Sequence, residues 1–147
     1  MAAVRRARYL EVCTLLSPAM QQRPASAPTI LVADDDAEQR SLYAEILTAA
    51  GYRVLQAGDG EGAVTLARGE HPDLMLMDVT MPVVSGWNAV RVLREDPSTL
   101  AIPIIVVTGL VDTWDRDASI AAGADSHLTK PVRPERLLSE VRRILHR

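Results

Sequence analysis

The sequence predicts an α/β domain in which five parallel strands form a doubly wound sheet, covered by helices on both faces as a three-layer sandwich. Three observations carry that expectation. From Thr29 onward, short apolar runs alternate with longer amphipathic segments. The runs are continuously apolar, as strands buried on both faces must be. Each is bounded by Asp, Gly or Pro. Right-handed crossovers then reduce the topologies to a handful. The length of 147 residues suits one such domain and not two. Hydrophobic residues make up 48% of the chain and, with Phe absent, the core must be built mainly from Val, Leu, Ile, Ala and Met.

Thr29–Ala33 reads as the first strand. Residues 37–50 read as a helix with Leu42, Ile46 and Leu47 on one stripe and Gly51 past its end. Residues 52–57 are the second strand, and residues 61–69 a short second helix. The glycines Gly58, Gly60 and Gly62 are read as turn residues, since no dinucleotide-binding pattern follows the first strand. The third strand, residues 74–77, follows the His71-Pro72-Asp73 turn. A third helix covers 86–94 with Val90 and Leu93 inward, and the β-branched fourth strand, 104–107, is entered through Pro103. A fourth helix over 113–122 is stopped by Gly123, and residues 126–128 form a brief fifth strand. Pro134–Leu145 closes the domain with Leu137, Leu138, Val141, Ile144 and Leu145 as its apolar face.

Residues 1–28 are set apart. They carry Arg5, Arg6, Arg8 and Arg23 against Glu11, so the remainder holds 12 basic and 18 acidic side chains. That balance argues against nucleic-acid binding by the folded part, residues 29–147. Glu11 interrupts the apolar stretch that would otherwise resemble a secretory leader, and Pro18, Pro24 and Pro28 suit a disordered or weakly helical extension. The one cysteine, Cys13, lies in this extension, so no internal disulfide is expected, consistent with a reducing, cytoplasmic setting. No run approaches the ~18–20 apolar residues needed to span a membrane.

In a doubly wound sheet, chemistry is expected at the carboxyl ends of the strands. Asp34, Asp35 and Asp36 follow the first strand, Asp78 the third, Thr108 the fourth and Lys130 the fifth. Three acids in a row also suit a solvated turn, with Asp36 capping the next helix. Asp78 is harder to read blandly, because it ends an apolar run where an unpaired carboxylate is costly to bury. Carboxylates gathered from two strand ends repel, and a hard divalent cation such as Mg²⁺ relieves the repulsion. One carboxylate then remains free to act as a nucleophile toward phosphorus, with the Thr108 hydroxyl and Lys130 ammonium as donors to phosphoryl oxygens.

Together these residues resemble the CheY-like receiver domains of two-component response regulators. The resemblance covers residues 29–147 and rests on Ile30-Leu31-Val32-Ala33-Asp34-Asp35-Asp36, Leu76-Met77-Asp78-Val79-Thr80-Met81-Pro82, Gly86, Pro103-Ile104-Ile105-Val106-Val107-Thr108-Gly109, Gly123-Ala124-Asp125 and Lys130-Pro131. It implies a flavodoxin-like sheet of strand order 2-1-3-4-5. It implies Asp78 as phosphoacceptor, with Mg²⁺ held by Asp34, Asp35, Asp78 and the Thr80 backbone carbonyl. It also implies Thr108 and Lys130 against the phosphoryl group and a cis Lys130-Pro131 bond. The implied donor is a sensor histidine kinase or phosphotransfer protein. The implied output face, formed by the fourth helix, fifth strand and fifth helix, engages a downstream protein, and a homodimer is compatible with it. His127 stands where relatives carry an aromatic switch residue, so switching is expected to be weaker or pH-sensitive. Trp87 is expected to pack against the third helix, and Trp114 to serve either an interface or the core.

Two other readings differ in class. A hydrolase with an aspartyl-phosphate intermediate would favour a second Asp two residues past the nucleophile, but position 80 is Thr. A phosphorylation-independent scaffold leaves the acidic, Thr and Lys set without a purpose. The sequence stops at Arg147, directly after the last helix, so no output domain is expected within it.

Overall fold

The computed structural model describes residues 27–79, 85–109 and 120–146. Cys13, Thr80, Met81-Pro82, Trp114 and most of the expected fourth helix lie outside the described residues, although 120–122 are helical. In chain order the described elements are β1 (Thr29–Ala33), α1 (Ala37–Ala49), β2 (Arg53–Ala57), α2 (Gly60–Glu70) and β3 (Leu74–Asp78). They continue with α3 (Ser85–Glu95), β4 (Ile104–Thr108), β5 (Ser126–Thr129) and the C-terminal helix (Pro134–Leu145). All strands pair in parallel, in the order β2-β1-β3-β4-β5. Among the described residues the expected element order and topology hold, with ends shifted by one residue at several places.

Alternation along each strand explains the three layers. Leu31, Ala33, Met75, Met77, Ile104 and Val106 face one side and pack with α2 and α3 through Ala63, Ala67, Val90 and Leu93. Ile30, Val32, Leu74, Leu76, Ile105 and Val107 face the other, against Tyr43 and Leu47 of α1 and Leu137, Val141 and Ile144 of the C-terminal helix. Both sides are fully apolar, so the central strands could not read as an alternating pattern. Trp87 is partly buried against the α2–α3 layer.

The stripe expected on α1 holds at Ile46 and Leu47, which pack against the sheet, and needs correction at Leu42. The buried residues of α1 are Tyr43, Ala44 and Leu47, whereas Leu42 is 53% exposed. Tyr43, 4% exposed, takes the inward place that Leu42 was expected to fill. Gly51, at φ 99°, ends α1 in the left-handed region, as expected of a residue just past a helix.

A second finding had no counterpart in the sequence reading. Arg94 of α3, largely enclosed, donates from Nε to the Gly123 carbonyl at 2.8 Å and from Nη1 to the carbonyls of Leu100 and Ile102 at 2.9 and 2.6 Å. Its Nη2 meets Asp125 Oδ2 at 2.7 Å, and the same oxygen accepts from the Ile104 amide. The guanidinium thus ties α3 to the entrances of β4 and β5. Gly123 fits this clamp for two reasons: its φ is +103°, and a Cβ there would lie 2.8 Å from Arg94 Cγ.

Candidate functional site

Strand register brings the acids together. Ala33 pairs with Met77, so one step further along the parallel ladder Asp34 and Asp78 stand side by side. Side-chain alternation sends both toward the α1 layer, with Ile30, Val32, Leu74 and Leu76. Asp34 is fully buried and Asp78 nearly so. Asp35, exposed, closes the group: carboxylate oxygens of Asp34, Asp35 and Asp78 lie within 4.8 Å of one another. Asp36 serves as the cap of α1, its carboxylate accepting from the Glu38 and Gln39 amides at 3.0 and 3.3 Å.

Thr108 and Lys130 arrive from neighbouring strands. Asp78 pairs with Val107, which places buried Thr108 next along β4, and the Thr108 carbonyl accepts from the Lys130 amide at 2.7 Å. The Lys130-Pro131 bond is cis, as the resemblance implied. Lys130 Nζ reaches Asp78 Oδ2 at 2.8 Å and stands 3.9 Å from Asp34 Oδ2. Behind the acids, Gly86 lets α3 approach the end of β3: a Cβ there would sit 2.9 Å from Val79 Cα and 3.1 Å from the Asp78 carbonyl oxygen.

Electrostatics follow from crowding. Asp34 is pushed up to about 7, first by burial and then by Asp78, against the lowering influence of the Asp36 amide and Lys130. Its Oδ1 accepts from that amide at 2.9 Å, whereas Oδ2 has no hydrogen-bond partner among the described residues. A buried oxygen of this kind, in an all-oxygen set of three carboxylates, suits a small hard cation. The fit to Mg²⁺ is therefore good. The Tyr43 phenol is pushed up to about 12 by its burial and by the charges of Asp34 and Asp78.

Sequence reasoning missed two side chains that shape the site. Arg40 Nη1 donates to the Asp34 carbonyl at 2.6 Å, fixing the start of the acidic loop. Gln39 Oε1 accepts from Lys130 Nζ. Both contacts arise because α1 passes over the strand ends, and the only local signal was their position in the helix's first turn.

The chain matches the response regulator receiver domain model over residues 30–142. It belongs to that family. The receiver domain is 40% identical over 116 residues to protein PilH of Pseudomonas aeruginosa, covering 79% of this chain and 96% of PilH. It is 39% identical to the probable transcriptional regulator ycf27 of Cyanophora paradoxa, covering 80% of this chain and 48% of that protein. The chain thus spans about half the length of the first curated relatives it matches. Among solved structures, the chemotaxis protein CheY4 of Vibrio cholerae superposes with a TM-score of 0.77 at 31% identity, covering 81% of this chain and 99% of that one. The receiver domain of a sensor histidine kinase from Pseudomonas aeruginosa PAO1, with a magnesium ion coordinated in its active-site cleft, gives 0.76 at 30% identity, covering 83% and 100%.

Receiver domains are phosphoacceptor modules of two-component signalling rather than classical enzymes, and their counterparts are histidine kinases. The grouped acids here form the pocket typical of their magnesium site. Among the described residues, no helix is long and apolar enough to cross a membrane.

Proposed function

We propose that Asp78 accepts a phosphoryl group from the phosphohistidine of a sensor kinase or phosphotransfer protein. In this reading residues 29–147 are the receiver unit of a cytoplasmic signalling protein, with residues 1–28 as an extension. The observation that carries it is the buried Asp78 carboxylate at the end of β3, crowded by Asp34 and held by the Lys130 ammonium. Asp34, Asp35 and Asp78 would hold Mg²⁺, joined by the Thr80 backbone carbonyl. When bound, the ion neutralises the crowded carboxylates and the charge on the phosphoryl oxygens.

The chain's own residues supply positioning. An Asp78 oxygen attacks phosphorus, a P–O bond forms, and the P–N bond to the donor imidazole breaks, leaving the electron pair on nitrogen. Lys130 and the Thr108 hydroxyl then donate to phosphoryl oxygens, which draws Thr108 toward the site. His127, part-buried on β5 beside the Val106 position, stands where this movement would be felt. The output would be a changed surface at the fourth helix, β5 and the C-terminal helix, read by a downstream protein.

With Mg²⁺ present, acetyl phosphate or beryllofluoride should shift the amide resonances around Asp78 and Thr108, and Asp78→Asn should abolish the shifts. An unchanged response in that variant would move the acceptor elsewhere.

A further inference from the structure

We infer that Gln39 is a positioning residue for Lys130, holding its ammonium toward Asp78 and away from Asp34, so that the Asp34 carboxylate stays available to a cation. The inference rests on the reading of the acid pocket as a magnesium site.

The local sequence assigns Gln39 a different task. Asp36-Ala37-Glu38-Gln39 has the form of a capping box, in which the Gln at the third helical position reaches back to the amide of the cap residue. That amide is instead taken by Asp34 Oδ1 at 2.9 Å. Relieved of capping, the Gln39 carboxamide extends to a residue 91 positions away, and its Oε1 accepts from Lys130 Nζ.

The consequence lies in where the ammonium sits. The ammonium donates to Asp78 Oδ2 at 2.8 Å and to Gln39 Oε1. Asp34 Oδ2 stands 3.9 Å from the ammonium, a long ion-pair contact beyond hydrogen-bond range, and is a buried oxygen with no hydrogen-bond partner among the described residues. A shift of about 1 Å would turn this long contact into a direct Lys130–Asp34 hydrogen bond. That pair would compete directly with a cation for the same oxygen. Gln39, part-buried on the first turn of α1, anchors the ammonium against the shift.

Magnesium titration by calorimetry on the full chain tests this. Gln39→Met keeps length and helix propensity but lacks the acceptor, and should weaken Mg²⁺ affinity roughly three- to tenfold. Gln39→Glu keeps an acceptor and should bind at least as tightly as the native chain. In a Lys130→Met background, Gln39→Met should have no further effect, because the competing cation is gone. If Lys130→Met melts below the assay temperature, the Lys130 Nζ resonance gives the same answer: it moves in Gln39→Met, and an unmoved signal overturns the inference. Native-like affinity in Gln39→Met, or an equal loss in the Lys130→Met background, also overturns it. A native chain that takes up no magnesium would instead sink the underlying reading of the pocket.

Discussion

At Asp34 a carboxylate sits out of water beside a second carboxylate, and the strain shows in its protonation. Its pKa is raised to about 7 from the ordinary 3.8, so the folded chain holds a proton that the unfolded chain has already released. Without metal, this contribution to stability is complete below pH 3.8, falls as pH rises toward 7, and is gone above it. The metal-free protein should therefore unfold more readily in urea at pH 7.5 than at pH 5. Asp34→Asn should flatten that difference and add on the order of 2–3 kcal/mol at pH 7.5. A variant with the same pH slope as the native chain would place the strain in another group. Such tension is expected at a site built for a ligand, and it explains why Asp34 and Asp78 could be picked out in the sequence: an acid that ends an apolar run conflicts with its surroundings.

Between elements, the most informative group is one that escaped sequence reading. Glu140 lies in the middle of the C-terminal helix and is buried, accepting from Ser126 Oγ of β5 and from Arg136 and Arg143 on its own helix. Hydrogen bonds from Arg143, then Ser126, hold it down at about 2 despite its burial. Here the sign is opposite to that of Asp34: the stabilisation is present above the ordinary value of 4.5 and is lost as pH falls through about 2. Glu140→Gln should cost on the order of 2 kcal/mol at neutral pH, measured by chemical denaturation, and nearly nothing at pH 2. A charged letter among Leu137, Leu138 and Val141 looks like a solvent-facing position, because helical periodicity cannot announce a partner on another strand. The Gln39–Lys130 contact was hidden for the same reason. In contrast, strands, helix order and the strand-end residues were legible, since each depends on local apolar runs and their boundaries. Leu42 marks where that logic slipped, with Tyr43 taking the inward position.

For the molecule as a whole, the parallel sheet divides the interior into two separate packed layers and collects chemistry along a single rim. That arrangement made the fold readable from five apolar runs, and the site from the polar residues at their carboxyl ends. The opposite rim has a different character. There Arg94 stitches α3 to the entries of β4 and β5 through three carbonyls and the Asp125 carboxylate. Loss of the stitch in Arg94→Met would leave those acceptors short of donors and should cost on the order of 2–4 kcal/mol, with the extra opening confined to the Gly123–Ile104 side in amide-exchange measurements. Uniform loss of protection across the sheet would argue against a local clamp.

The native clamp gives the sheet a fulcrum. One end of β4 is pinned by a guanidinium while its other end, at Thr108, adjoins mutually repelling charges. The anchored entry and the charged exit are thus opposite ends of one strand, so a change at the acids meets β4 at the end the guanidinium does not hold.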